Sequence, residues 1–495
     1  MATPLTEQLA DASHSPDPHA PAAPAAAPAP RQTLSGRAWG MLFVLCGALF
    51  LDALDASMKG VALPSIGADL AMSTSSLQWV VSGYVLGFGG FLLLGGRAAD
   101  LLGRRRVFLL ALATFLVTSV LGGLAPNGEL LVAARFLTGV SAAFTAPAGL
   151  SIITTSFAEG PARNKALTIY TATGASGFSL GLVAGGLLTE VSWRWVFFAP
   201  ALVAGLTLLG GLWLIPRSSR PTGPRQGFDL AGAVSVTAAM LLLVFTLIQA
   251  PEVGWGSART LGSLVGVAAL LAAFVAIERR AAAPLVRLSL LRSGAVVQAN
   301  VGAMALLGAW LGALFILTLY MQDVRGWSAL TTGLAVAPSG AVVVLLAPRI
   351  VAPLVARFGA PRVILAGLVA ASLAYLALLP LDGDSAYATG MLPAFLLAGL
   401  AFTFAYGPLN ILATNGIAAE EQGVASGLVN TSFQFGAALS LAVVTAVQRA
   451  GAGEGHSPDA LLEGLSSALW VPLVVSLLGV AVVAPGVLRR RSSVR

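Results

Sequence analysis

Charge is what this sequence has least of. Of its 495 residues only 10% are Asp, Glu, Lys or Arg, 57% are hydrophobic, and mean hydropathy is +0.86. A soluble domain carries about a quarter charged residues, so a soluble enzyme or scaffold is excluded. Cysteine is nearly missing as well. Cys46 stands alone, which rules out a disulfide framework and a cysteine-based metal site. The histidines, His14, His19 and His456, are too scattered to hold a metal. A GxxxxGK[ST] phosphate loop is absent, which argues against an ATP-driven pump and against an enzyme acting on nucleotides.

What is present is apolar length. Runs able to cross a bilayer, roughly 20 residues each, recur from residue 38 to the C-terminus. They predict spans at 38–63, 77–97, 107–125, 130–156, 166–189, 195–215, 229–250, 260–278, 294–320, 329–355, 362–380, 387–414, 423–448 and 466–488. The fold class is therefore an all-α membrane protein, with the lipid bilayer as its surroundings.

The net charge of +7 does not signal nucleic acid, because the basic residues lie in short loops between spans. With the N-terminus placed inside the cell, inner segments hold Arg97, Arg104 to Arg106, Arg163, Lys165, Arg279, Arg280 and Arg357, among others. Outer segments hold Arg194, Arg259, Arg325 and Arg449. This bias predicts both termini in the cytoplasm and an even number of spans. Residues 1–36, rich in Ala and Pro, read as a disordered cytoplasmic tail and not as a signal peptide. Residues 489–495 read as a basic cytoplasmic tail. The expected location is the cytoplasmic membrane of a bacterium.

An internal repeat organises the spans. "GGRAADLLGRRRVFLL" follows span two and "VAPLVARFGAPRVILA" follows span ten, aligning Gly103 with Gly359 and Arg106 with Arg362. The same offset carries span one onto span nine and span four onto span twelve. Residues 37–216 and 294–488 are thus expected to form two six-helix bundles. Residues 217–293 are the linker, with two extra helices. Paired bundles of this kind build transporters, with the substrate between the halves at mid-membrane.

Charges fall together inside spans one and four. Asp52, Asp55 and Lys59 of "LDALDASMKG" share about 60° of a helix surface over ~10 Å. Facing lipid would cost several kcal/mol for each ionised group, so the stripe must face protein or water. Asp55 and Lys59 are spaced i,i+4 with the acid first, which favours a pair. Arg135 in span four lies at an overlapping depth. Two readings follow. The plainer one is an ion-pair cluster that locks helices one and four. The sharper one is a proton switch. Burial disfavours an ionised carboxyl and a nearby cation favours it, so a rearrangement would change how tightly a proton is held.

Several stretches resemble the major facilitator superfamily, in its fourteen-helix drug:proton antiporter branch. "GRAADLLGRRR" resembles the loop signature, "RFLTGVSAAF" the span-four signature and "GASGFSLGLVAGGLL" the span-five antiporter signature. "SWRWVFF" and "GVASGLVNTSFQFG" resemble stretches of that branch, and "LDASMKGVALP" its first-span signature. The resemblance implies a major facilitator fold of two six-helix bundles plus two extra helices, without an enzyme activity. It implies Asp55 as the proton carrier, with Asp52 second, Arg135 tuning it and Lys59 as a pairing partner. It implies a conformational latch at Gly96, Asp100, Gly103, Arg104 and Arg105. It implies close helix packing at Gly177, Gly181, Gly185 and Gly186. The sequence departs from the signatures at Leu182, where proline is usual, and at Lys59 and Gly60, where an apolar residue and asparagine are usual.

For the substrate, aromatic and amide side chains of the second bundle are the candidates: Trp310, Phe404, Tyr406, Asn410, Asn430 and Gln434. An apolar pocket with few polar groups suits amphipathic compounds, and aromatic faces attract cations. The expected function is proton-coupled export of amphipathic, cationic drugs or antibiotics by a monomer. The proton gradient supplies the energy, with no cofactor and no metal. A narrow exporter of one metabolite and a non-transporting receptor are the alternatives.

Overall fold

Serine and asparagine caps and two glycine turns set where the helices begin and reverse. Ser73, Ser257 and Ser328 each accept a hydrogen bond from the backbone N–H three residues on, and Asn127 Oδ1 accepts one from Leu130 at 2.9 Å. Gly103 (φ +95°) and Gly359 (φ +79°) each close one helix and open the next without a linker. The left-handed backbone there favours glycine, and the two turns are repeat equivalents.

The computed structural model describes residues 36–157, 161–216, 230–281, 293–415, 417, 422–452 and 458–492. The predicted tail before Gly36, much of the linker between the halves and the last residues of the basic tail lie outside the described residues. The first half holds α1 (Gly36–Asp69), α2 (Thr74–Leu102), α3 (Arg104–Gly123), α4 (Gly128–Ser156), α5 (Pro161–Val191) and α6 (Trp195–Leu214). Then come α7 (Leu230–Val253) and α8 (Ala258–Arg280). The second half holds α9 (Gly294–Leu319), α10 (Ala329–Phe358), α11 (Ala360–Leu378), α12 (Leu392–Thr414), α13 (Gln422–Ala452), α14 (Pro458–Ala468) and α15 (Trp470–Ser492). Among the described residues, eleven helices are long and apolar enough to cross a membrane, and three shorter apolar helices on α2, α5 and α7 complete the set. These helices coincide with the predicted spans. The short amphipathic α14, most of which falls between predicted spans thirteen and fourteen, packs on α13.

The two halves use the same packing plan. α1 packs on α5 and α6, α2 on α4, and α3 on α4 and α6. In the second half α9 packs on α13 and α15, α10 on α12, and α11 on α12 and α15. Each contact maps onto its repeat equivalent. The seams between the halves obey the same symmetry, α2 against α13 and α5 against α10. α7 lies over the α2–α13 seam, where Thr237 Oγ1 donates to Gly90 O at 2.8 Å, and α8 packs on α7. The outer face of α8 exposes Leu261, Val265 and Leu271.

Glycine makes the closest crossings possible, as is usual where helix association depends on packing and not on water. A Cβ on Gly177 would lie 2.5 Å from Phe50 O, one on Gly181 2.7 Å from Leu54 O, and one on Gly185 2.8 Å from Met58 Cα. These glycines form one stripe that receives the 50–54–58 ridge of α1. Gly186 turns the other way. Its Cβ would lie 2.6 Å from Ala329 O of α10. The adjacent glycines thus serve two interfaces, one inside a half and one between halves. Gly181→Leu is expected to cost about 1–3 kcal/mol or more through overpacking. The check is the thermal unfolding temperature of purified protein, with Gly262→Leu as the neutral control, since nothing lies within 4 Å of a Cβ there.

Candidate functional site

The helix-one stripe faces protein. Asp55 and Lys59 are wholly buried, Arg135 is 2% exposed and Asp52 7%. Each carboxylate oxygen of Asp55 meets its own cation: Oδ1 pairs with Lys59 Nζ, and Oδ2 accepts from Arg135 Nη1 at 2.6 Å. Arg135 reaches further. Its Nε donates to Val80 O at 3.0 Å, and its guanidinium lies 4.6 Å from the Tyr84 ring centre. The Lys59 ammonium sits 4.7 Å from the Phe197 ring centre. One carboxylate therefore joins α1 to α4, and its cations carry the link to α2 and α6. Removing a partner from a buried ion pair is costly because it strands a charge.

Asp52 lies one turn toward the end of α1 where the described chain begins. Its Oδ2 is buried without a hydrogen-bond partner. Tyr84 of α2 and Tyr170 of α5 are within its electrostatic range. Tyr170 is also within electrostatic range of Tyr406 of α12.

Opposite stands an aromatic ladder. Trp310 meets Phe402 edge-on at 5.7 Å, Phe402 stacks on Tyr406 at 6.3 Å, and Tyr406 stacks on Phe433 at 4.9 Å. Tyr406 keeps 47% of its surface exposed despite both contacts. Asn410 Oδ1 accepts from Ser426 at 3.2 Å, which braces α12 against α13 beside the ladder, and Asn430 donates to Ser426 O at 2.9 Å within α13 itself. Phe404 is half-buried and takes no part in the stack. Gln434 is elsewhere. It meets Gly89 of α2 in the seam beneath Met240 of α7.

The described close approaches between halves run from mid-membrane to the face opposite the one where α1 begins. Gly89 against Gln434 is the innermost. Near the far face Gly186 meets Ala329, Gly333 meets Leu182, Gln322 Nε2 donates to Val61 O at 2.8 Å, and Glu190 Oε1 accepts from Leu330 N at 3.3 Å. Glu190 thereby caps the N-terminus of a helix in the other half, where backbone N–H groups lack partners. Nearer the terminal face Tyr406 and Ile411 of α12 are exposed. Beyond the seam, a loop strap ties the second half to itself. Arg325 donates to Ser385 O at 2.5 Å, and the Ser385 hydroxyl holds the Asp382 carboxyl below the usual carboxylate range.

Arg105 of the loop signature bonds within its own half. Arg105 donates from Nε to Ile215 O and from Nη2 to Leu212 O, each at 2.9 Å, capping the end of α6 in its own half. Gly103 makes the turn, Gly96 lies near Pro147, and Arg104 opens α3. The side chain of Asp100 lies outside the described residues. Sequence reasoning missed Tyr84, Phe197, Phe433, Tyr170, Gln322 and Glu190. The one available signal was Tyr84, a lone phenol within the small-residue run "SGYVLGFGG".

Two helical halves meeting along symmetric seams around a charged and aromatic centre define a polytopic membrane transporter. The family model of the Major Facilitator Superfamily matches residues 45–441, and the chain belongs to that superfamily. It is 41% identical to the cephamycin export protein of Amycolatopsis lactamdurans, over 92% of this chain and 93% of the relative. It is 38% identical to the puromycin resistance protein of Streptomyces alboniger, over 86% of each. Its fold is similar to that of a nucleoside transporter (TM-score 0.64, 13% identity, 90% of this chain and 99% of the other). It is equally similar to a peptide transporter (TM-score 0.64, 17% identity, 90% and 94%).

Arg135→Ala is expected to lower stability by about 3–5 kcal/mol, and Arg135→Lys by about 1 kcal/mol through the lost Val80 bond; thermal unfolding in detergent separates them. Loss of the Glu190 cap should shift the balance between halves by about 0.5–1.5 kcal/mol. The buried Cys46 leaves a clean background, so a Leu182→Cys reporter should react faster with a maleimide in the Glu190→Ala variant.

Proposed function

We propose that the protein is a proton-coupled exporter of antibiotics or amphipathic drugs, working by alternating access. The observation that carries this reading is the set of buried acids on α1. Asp55 is clamped by two cations, and Asp52, one turn nearer the terminal face, keeps a buried carboxylate oxygen without a partner. Intramembrane acids are expensive and mark ion pathways. An aromatic wall fits flat, positively charged compounds. The cephamycin export and puromycin resistance relatives, together with a lincomycin resistance protein of Streptomyces lincolnensis at 34% identity over 90% of this chain, support the export of antibiotics. The protein is a transporter and not an enzyme. It acts as a monomer in the cytoplasmic membrane of a bacterium with both termini inside, and the proton gradient drives it without a cofactor. With the termini inside, the described close approaches between the halves lie at mid-membrane and on the outer side, which supports an inward-open reading.

A second reading, a narrow exporter of a single natural product, draws on Lys59. An ammonium beside the acid stripe suits a substrate that carries both charges. Several relatives are named for a single compound, which fits the same reading.

Reconstituted proteoliposomes with an imposed pH gradient test both. Puromycin, a cephamycin and ethidium are the probes. The expected result is uptake that a protonophore collapses and that Asp55→Asn removes. Uptake indifferent to the gradient refutes proton coupling. Movement of one zwitterionic probe alone favours the narrow exporter, and movement of none revives a receptor role.

A further inference from the structure

Among the charged groups within the membrane, Asp55 is the most constrained. Both of its oxygens are occupied by cations on separate sides, and none of its surface is exposed. For a proton to settle on it, a lysine or an arginine must first be displaced into surroundings that offer no other acid of the same reach. Asp52 is in the opposite condition. Oδ2 has no partner, and the residue retains 7% of its surface. A carboxylate left ionised and unpaired in such a place costs several kcal/mol. A proton on Asp52 removes that cost without breaking any contact.

We propose that Asp52 is the carboxyl that exchanges the proton, and that Asp55 is a fixed counter-ion positioning Lys59 and Arg135. This rests on the exporter reading above and assigns the roles within it. The lysine is the residue that divides the work. Arg135 alone would leave Asp55 one oxygen free, and Lys59, one turn along α1, closes it. With Asp55 filled, the exchange moves to the acid one turn nearer the start of α1.

The groups around Asp52 allow this. Asp55 is the charged group acting on it from its own helix. α2 contributes the Tyr84 phenol and α5 the Tyr170 phenol. Cys46 and Tyr406 act on Tyr170, and Arg135 of α4 is spoken for by Asp55. Two turns further along α1, Lys59 meets Phe197 of α6 and Gly60 lies near Leu314 of α9, neither of which titrates. The step itself is simple. An O–H bond forms at Asp52 as water hands over a proton, and it breaks as the proton returns to water. Loading changes the net charge of the Asp52–Asp55–Lys59–Arg135 group from zero to one positive. A cationic substrate is then repelled by the loaded state and accepted by the unloaded one, which is the requirement for exchange of one for the other.

The test uses the intact protein in liposomes and dicyclohexylcarbodiimide, which adds to protonated carboxyls in apolar surroundings. Peptide mapping of the wild type is expected to place the adduct on Asp52. Infrared difference spectra across a pH titration are expected to show a protonated-acid carbonyl band that Asp52→Asn removes. Lys59→Met, which frees one oxygen of Asp55, should let labelling appear at Asp55 as well. An adduct on Asp55 in the wild type, the lack of any protonated-acid band, or a band that survives Asp52→Asn overturns the assignment. The readout needs no transported compound. If Asp52 reacts but no probe follows the pH gradient, the exporter reading falls and the proton site stands. If antiport is found and Asp55 carries the adduct, the reverse holds.

Discussion

A single carboxylate held between two cations, out of reach of both water and lipid, organises the first half of this protein. Asp55 draws Lys59 along its own helix and Arg135 across from α4. Those cations in turn fix Val80, Tyr84 and Phe197. Low dielectric makes such attractions strong and makes any unmatched member costly. The cluster therefore sets which faces of α1, α2, α4 and α6 turn inward. The repeat equivalents of Asp52, Asp55, Lys59 and Arg135 are Gly308, Leu311, Phe315 and Met391. The second half reaches the same packing plan with no charge at these places, using glycine crossings and an aromatic ladder. The fold does not need the ions, which is a reason to look for their purpose in function.

The glycine stripe of α5 complements the charges. Ions specify partners, while the missing side chains at Gly177, Gly181 and Gly185 let α1 approach closely enough for the specification to matter. Gly186, one residue on, belongs to the seam with α10. The reciprocal meeting of Gly333 with Leu182 keeps that seam free of interlocking side chains. Two hydrogen bonds, from Gln322 and to Glu190, are then what most directly holds the far face shut. Each uses a backbone group and one polar side chain, so opening leaves little that water cannot satisfy.

Much of this was legible in the chain. Apolar length gave the spans, because a bilayer leaves few other solutions for a backbone. The alignment of Gly103 with Gly359 pointed to the repeat, because both turns need the same backbone. The depth of Arg135 put it level with Asp55, and the structure joins them. Other features were not legible, for physical reasons. Helical spacing placed Asn430 and Gln434 on a common face but could not say which neighbour each would meet. Gln434 faces α2, since α13 is shared between its own half and the seam. The rings beneath Lys59 and Arg135 come from helices far away in sequence, and nothing local marks a cation–aromatic contact. Arg105 reaches carbonyls at the end of α6, a partnership that a basic loop does not announce.

The helix pair α7–α8 carries a last implication. α7 rests on both halves, yet its described hydrogen bond, from Thr237 to Gly90, ties it to α2. Toward α13 it offers side-chain packing such as Met240 beside Gln434. A tilt of the halves would keep the tied contact and let the untied one slip, so the pair would go with the first half, eight spanning helices against six.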